Sequence, residues 1–149
     1  MLRAGLKETL KGTRLAIASR TDHDKYNDTV RVYRDMKNAC NGIDPTFWGP
    51  HVWTAWHSFA SNYSVDRKVH YLQFEASLAG LLPCAACRSN FAQTLEQVKE
   101  RTVTKDPYRN RMEYFYYVYL VHDAVNKKLN KESPSFADVV LEYERHRAD

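Results

Sequence analysis

Apolar residues recur at three- and four-residue spacing along most of this chain of 149 residues, the pattern of helices that bury one face. No stretch keeps the strict apolar–polar alternation of a half-buried strand. Leu2, Leu6, Leu10 and Ile17 share a stripe over residues 1–20, with basic residues elsewhere, and predict an amphipathic N-terminal helix. Residues 24–40 predict a second helix that ends before Asn41-Gly42, and Ile43-Asp44-Pro45 reads as a boundary. From Thr46 onward Trp53, Trp56, His57, Ala60 and Tyr63 fall on one helical face, and Asn62 to Asp66 reads as a turn. The next helix fits 66–82, with Val69, Leu72, Ala76 and Ala79 inward, and Pro83 disfavours helical geometry at Leu82. A helix over 84–101 has Phe91, Leu95 and Val98 as its apolar face. Pro107 is expected to start the longest helix, reaching Asn130, with Met112, Phe115, Tyr119, His122, Asn126 and Leu129 inward. Ser133-Pro134-Ser135 breaks it before a short helix over 135–146. The expected fold is all-α: a four-helix bundle with a short fifth helix and an N-terminal helical extension. Residues 1–44 form that basic extension, and residues 45–149 form one domain.

Composition agrees with a helical core. Aromatics are abundant, with Tyr 10, Phe 6 and Trp 3, while helix-interrupting Gly and Pro number 5 each. The net charge of +4 resides in the first twenty residues, where Arg3, Lys7, Lys11, Arg14 and Arg20 face Glu8 alone. The remainder is neutral, which argues against a dedicated nucleic-acid binder. No apolar run is long enough for a transmembrane helix or a secretory signal core. The first twenty residues also have the composition of a mitochondrial transit peptide.

The candidate chemistry lies in Cys84-Ala85-Ala86-Cys87, placed directly after Pro83 at a predicted helix start. Positions i and i+3 share a helical face, so the two thiols can meet and close a disulfide. A helix N-terminus favours the thiolate, the attacking form of cysteine, and Arg88 adds positive charge beside it. A dithiol needs an electron acceptor. Thioredoxin-like exchange requires a βαβ context, which this chain does not offer. The other route is a redox cofactor held in the bundle by side chains of facing helices. Two clusters suit a flat heteroaromatic ligand. Trp53 and His57 lie four apart on one predicted helix, and His122 and Asn126 lie four apart on another, with Tyr119 one turn earlier.

These residues resemble the FAD-linked Erv/ALR sulfhydryl oxidases. Trp48-Gly49-Pro50-His51-Val52-Trp53-Thr54-Ala55-Trp56-His57 is similar to the family's W-G-x-x-x-W-x-x-x-H helix. Pro83-Cys84-Ala85-Ala86-Cys87-Arg88 follows, with Phe91 close behind. His122-Asp123-Ala124-Val125-Asn126-Lys127-Lys128-Leu129-Asn130-Lys131 is similar to H-x-x-V-N-x-x-L-x-K. The resemblance spans residues 47–136. It implies a helical bundle that binds FAD, a homodimer, and oxidation of protein dithiols to disulfides with oxygen as acceptor and hydrogen peroxide as product. It implies that Cys84 exchanges with substrate and that Cys87 lies beside the flavin. It implies a cofactor site drawn from Gly49, Pro50, Trp53, His57, Cys87, Tyr117, His122, Val125, Asn126, Leu129 and Lys131. The structural cysteine pair that cellular members carry after the fourth helix is absent. In that respect the chain looks like the compact members of large DNA viruses. That points to the cytoplasm of an infected cell or the virion, with the mitochondrial intermembrane space as the alternative.

Cys40 is the odd cysteine of three. It is a candidate for a shuttle or intermolecular disulfide, or for a free thiol. A competing reading is a non-catalytic helical module whose Cys40, Cys84 and Cys87 join a histidine around zinc. No second C-x-x-C or H-x-x-x-H completes such a set, so no metal is expected.

Overall fold

The computed structural model describes residues 21–36 and 42–149. The chain divides after Cys40, and the unit that follows runs from Asn41 to Asp149. In the first unit the described helix is α1, Asp22–Met36. Thr21 caps it: its hydroxyl accepts the Asp24 amide at 3.3 Å and donates to the Asp24 carboxylate at 2.6 Å. Asp22 and Asp24 place negative charge in the first turn, where the helix dipole favours it. The helix thus begins two residues before the expected start at residue 24. The expected N-terminal helix over 1–20 and Cys40 lie outside the described residues.

The second unit contains α2 (Pro45–Ser61), α3 (Lys68–Leu81), α4 (Ala85–Lys99), α5 (Arg111–Lys128) and α6 (Phe136–Arg145). A short 3-10 turn, Val65–Arg67, leads into α3. The described residues contain no strand, only an isolated antiparallel bridge between Gly42 and Cys84. The helix starts follow local chemistry. Asp44 caps α2 through the Thr46 amide, and Pro45 occupies the first turn, where a missing N–H costs nothing. Ser135 caps α6 through the Asp138 amide. Helix α5 packs on α2 and α4, α3 lies on α4, and α6 covers the ends of α2 and α5. The centre is aromatic, built from Trp56, Tyr63, Tyr71, Phe91, Tyr108, Tyr114, Phe115 and Tyr117 around Leu95, Val98, Val118 and Val121. This is the all-α bundle with a short last helix that the periodicity predicts.

Three local expectations are corrected. Helix α5 starts at Arg111 rather than Pro107, because Asn110 is extended and its side chain accepts the Glu113 amide at 2.9 Å. The inner face of α3 carries Tyr71, Phe74, Glu75, Leu78 and the expected Ala79, while Val69 and Leu72 are exposed and Ala76 faces outward. On α5, Met112 and Leu129 are more than half exposed, and the buried face holds Tyr114, Phe115, Tyr117, Val118, Leu120 and Val121.

Candidate active site

Pro83 separates α3 from α4 and forces an abrupt change of direction. Leu82 takes φ −52° and ψ 125°, outside the helical region, as a residue before proline should. Cys84 is the N-cap of α4, with φ −150° and ψ 118°, and its Sγ accepts the Cys87 amide at 3.3 Å. Cys84 and Cys87 are joined by a disulfide, their Cα atoms 5.2 Å apart. The bond therefore sits where unpaired amides and the helix dipole favour negative charge on sulfur. Both cysteines are half-buried, and Cys87 packs against the core. Arg88 does more than add charge: its guanidinium donates to the Leu82 carbonyl at 2.6 Å.

One turn beyond Cys87, Phe91 meets Trp56 edge-on at 5.9 Å between ring centroids. Trp56 stacks with Trp53 at 5.7 Å and 11°. Trp53 then stacks with His122 of α5 at 4.1 Å and 9°. The rings of Trp56, Trp53 and His122 thus lie nearly parallel. His57 lies against the same group, 5.4 Å from His122, and stacks on Tyr143 of α6 at 5.3 Å. Its Nδ1 is 2.9 Å from the Trp53 carbonyl, so Nδ1 carries the proton and Nε2 is the acceptor. That Nε2 is buried and has no partner among the described residues. Burial lowers the His57 pKa, and burial together with the neighbouring His57 pushes His122 down to about 4. Both imidazoles are neutral at pH 7. They offer ring faces and one unused lone pair, without charge.

The end of α5 is tied back onto the helix. Asn130 adopts a left-handed φ of 54° and turns the chain back. The Lys131 amide then donates to the Asn126 carbonyl at 2.9 Å, and the Asn126 side-chain amide donates to Ser133 Oγ at 3.1 Å. Tyr119 Oη donates to the Pro134 carbonyl at 2.9 Å.

The sequence-predicted site residues separate into groups. Trp53, His57 and His122 come together directly, with half-buried Val125 and Asn126 on the following turn of α5. Cys84 and Cys87 lie at the start of α4, where Cys87 packs against the core cluster that contains Phe91 and Trp56. Leu129 and Lys131 are exposed at the end of α5. Gly49 and Pro50 lie in the first turns of α2, and a Cβ on Gly49 would meet no atom within 4 Å. Tyr117 is not part of this cluster: it is buried beside Tyr108 and Tyr114. No group of three or more His, Cys, Asp or Glu residues suited to a metal occurs among the described residues.

Two features escaped the sequence reading. Tyr143, which stacks on His57, lies on the inner stripe of α6 with Phe136, Val139 and Val140, a three- and four-residue pattern that was there to be read. The second is Glu75, buried in the core, whose carboxylate accepts Tyr108 Oη at 2.6 Å and Tyr114 Oη at 2.8 Å. Trp56 Nε1 donates to Tyr114 Oη at 3.1 Å, so this network reaches the stacked rings. Burial raises the Glu75 pKa, against the two hydroxyl donors.

An FAD-linked sulfhydryl oxidase of African swine fever virus (isolate Pig/Kenya/KEN-50/1950) is 30% identical over 104 residues, covering 66% of this chain and 81% of the viral protein. The corresponding oxidase of the Tick/Malawi/Lil 20-1/1983 isolate is 29% identical with the same coverage. A protein of Acanthamoeba polyphaga mimivirus is 25% identical over 107 residues, covering 69% of this chain and 73% of the relative. The sequence profile of the Erv1 / Alr family matches residues 50–145, which take in the ring cluster, the disulfide and all of α3 to α6. The chain belongs to the Erv1 / Alr family.

Proposed function

We propose that this protein is an FAD-dependent sulfhydryl oxidase in which Cys84 and Cys87 are the redox pair. It oxidises two thiols to a disulfide and reduces oxygen to hydrogen peroxide. The observation that carries the assignment of residues is the disulfide at the start of α4, whose Cys87 packs against the same core that holds Trp56, the neighbour of the Trp53–His122 stack.

The residues present fit the cofactor. Trp53 and His122 supply flat faces, and the buried Nε2 of His57 supplies an acceptor that lacks a partner without a ligand. Leaving such an atom unsatisfied costs about 1–3 kcal/mol. A donor on the bound group would recover this. Trp53, His57, His122, Val125 and Asn126 would hold FAD, with Gly49, Pro50, Leu129 and Lys131 at its edges. When bound, FAD supplies a two-electron acceptor that can be reoxidised by oxygen.

The chain's own residues carry the thiol chemistry. A substrate thiolate attacks Cys84 Sγ, forming a mixed disulfide and releasing Cys87 as thiolate. The second substrate thiolate attacks the substrate sulfur of that mixed disulfide. It leaves as the oxidised product and releases Cys84 as thiolate. Two electrons have moved to the enzyme, and the two substrate protons have gone to solvent. The Cys87 amide faces Cys84 Sγ and stabilises the charge that appears there.

Partners follow from the reaction: dithiol proteins and molecular oxygen. A homodimer is supported by the outer faces of α2 and α3. Val69 and Leu72 are exposed there, and exposed Phe59 lines an open groove of about 410 Å³ with Ser58, Asn62, His70, Tyr71 and Phe74. No described helix is long and apolar enough to cross a membrane. The viral relatives support action in the cytoplasm of an infected cell or in the virion. There a dedicated oxidase would offset a reducing thiol pool.

The deciding experiment is the visible absorption spectrum of the purified protein before and after dithiothreitol. A flavin spectrum that bleaches and recovers in air is the expected result. A protein that stays colourless with added FAD overturns the reading.

A further inference from the structure

We infer that Gly42 and Ile43 are positioning residues for Cys84, acting as a backbone clamp that holds the attacked sulfur in place when the disulfide opens. The chain at Gly42 runs antiparallel to Cys84, and the Ile43 amide donates to the Pro83 carbonyl at 2.9 Å. The clamp is itself anchored: Trp48 Nε1 donates to the Ile43 carbonyl at 2.8 Å, from the first turn of α2. Three successive carbonyls leading into α4 are thereby tied. Leu82 accepts the Arg88 guanidinium at 2.6 Å, Pro83 accepts the Ile43 amide, and Cys84 accepts the Arg88 amide at 3.0 Å.

Only glycine fits at position 42. Its φ is 109°, in the region closed to residues with a Cβ. A Cβ built there would lie 2.1 Å from the Pro83 carbonyl oxygen and 3.5 Å from Cys84 Cα. Both neighbours are backbone and cannot rotate away. Any side chain at 42 therefore pushes the two segments apart at the residue that precedes Cys84.

The consequence for the reaction comes with reduction. In the oxidised enzyme the covalent link to Cys87 holds Cys84 at the head of α4. After exchange that link is gone. Cys84 then keeps its extended backbone, and Sγ its place before the Cys87 amide, only through hydrogen bonds. On the far side of Cys84 from the helix, the clamp provides the bond to Pro83. The inference rests on the proposed role of Cys84 in exchange, and its test reads the thiol directly, apart from turnover.

The test uses the full-length flavin-loaded protein with Cys40→Ser and Cys87→Ser, which leaves Cys84 as the single thiol and keeps the residue 87 amide. Iodoacetamide alkylation of Cys84 is followed from pH 5 to 10, with and without Gly42→Ala. The expected result is an upward shift of the alkylation profile by about one pH unit, and a rate at pH 7 lower by about tenfold. Flavin absorbance and helical circular dichroism stay unchanged. Trp48→Phe, which keeps the ring and removes the donor to Ile43, should shift the profile in the same direction by less, and it decides the matter if Gly42→Ala does not fold. An unchanged profile in a folded variant overturns the clamp and leaves the oxidase assignment intact. Absence of flavin in the parent protein instead counts against the oxidase assignment.

Discussion

Trp53 and His122 lie face to face between α2 and α5, ring centroids 4.1 Å apart and planes within 9°. Trp53 also stacks with Trp56, at 5.7 Å and 11°. Ring pairs of this kind contribute about 0.5–1.5 kcal/mol beyond the area they bury. A flat ligand that packs against this ring cluster depends on the same side chains. Trp53→Ala and His122→Ala should each weaken FAD binding by about tenfold or more, and Trp53→Phe by much less. Quenching of flavin fluorescence on titration into apoprotein measures this. Unchanged affinity in both alanine variants would remove the cluster from the cofactor site.

The same two imidazoles make the apoprotein acid-sensitive. His122 is pushed down to about 4, and His57 is lowered by burial, against about 6.5 in an unfolded chain. A histidine with a lowered pKa is protonated more readily in the unfolded state. Its contribution is therefore fully present above about pH 6.5, declines as pH falls toward 4, and is constant below. Partial exposure of His122 screens the effect, leaving about 1–2 kcal/mol at most. Glu75 opposes this trend: its raised pKa means that the folded state takes up a proton first as pH falls. Urea unfolding of apoprotein at pH 7 and pH 4.5 should show a stability difference that shrinks in His122→Phe. An equal difference in parent and variant would assign the acid sensitivity elsewhere.

How legible the site was depended on the kind of signal each residue gave. Trp53, His57, Cys84, Cys87 and His122 belong to three short spaced motifs, and those spacings translate directly into shared helix faces. Helix α4 was legible for the same reason, with Phe91, Leu95 and Val98 all buried as expected. Helix α3 was misread because its buried stripe contains Glu75, a residue that apolar periodicity assigns to solvent. On α5 the run Tyr114-Phe115-Tyr116-Tyr117-Val118-Tyr119-Leu120-Val121 is apolar on every side, so no single stripe stands out. Its start was misplaced because Pro107 is a common helix opener, whereas Asn110 holds the cap. The meeting of Glu75 with Tyr108 and Tyr114 spans 33 and 39 residues, and no local pattern encodes it.

That network has its own expected behaviour. The Glu75 carboxyl is 3% exposed and accepts both hydroxyls, while Tyr114 also accepts the Trp56 indole. Glu75→Gln keeps an acceptor and a polar partner for the second hydroxyl, and should cost no more than about 1–2 kcal/mol. Glu75→Leu fills the space but strands two buried hydroxyls, and should cost about 2–5 kcal/mol. Urea denaturation at pH 7 separates the two. Equal stability of the two variants would mean that the hydroxyls find other partners.

The two cysteines should behave differently when each is left alone. Cys87 packs against the core, whereas Cys84 caps α4 with its sulfur before the Cys87 amide. With Cys40 replaced by serine throughout, both Cys84→Ser and Cys87→Ser should lose dithiol oxidation by about a thousandfold or more, since either change removes the disulfide. Both should still bind flavin, because the ring cluster is built from other residues. Their reactions with a small aromatic disulfide should diverge. In Cys87→Ser the remaining thiol, Cys84 at the head of α4, exchanges quickly and keeps the adduct, because no second thiol is there to resolve it. In Cys84→Ser the packed Cys87 reacts about tenfold more slowly or less. Release of the chromophoric thiol, followed in a stopped-flow instrument, measures both rates. Faster exchange at Cys87 would reverse the roles of the pair and make Cys87 the sulfur that meets substrate.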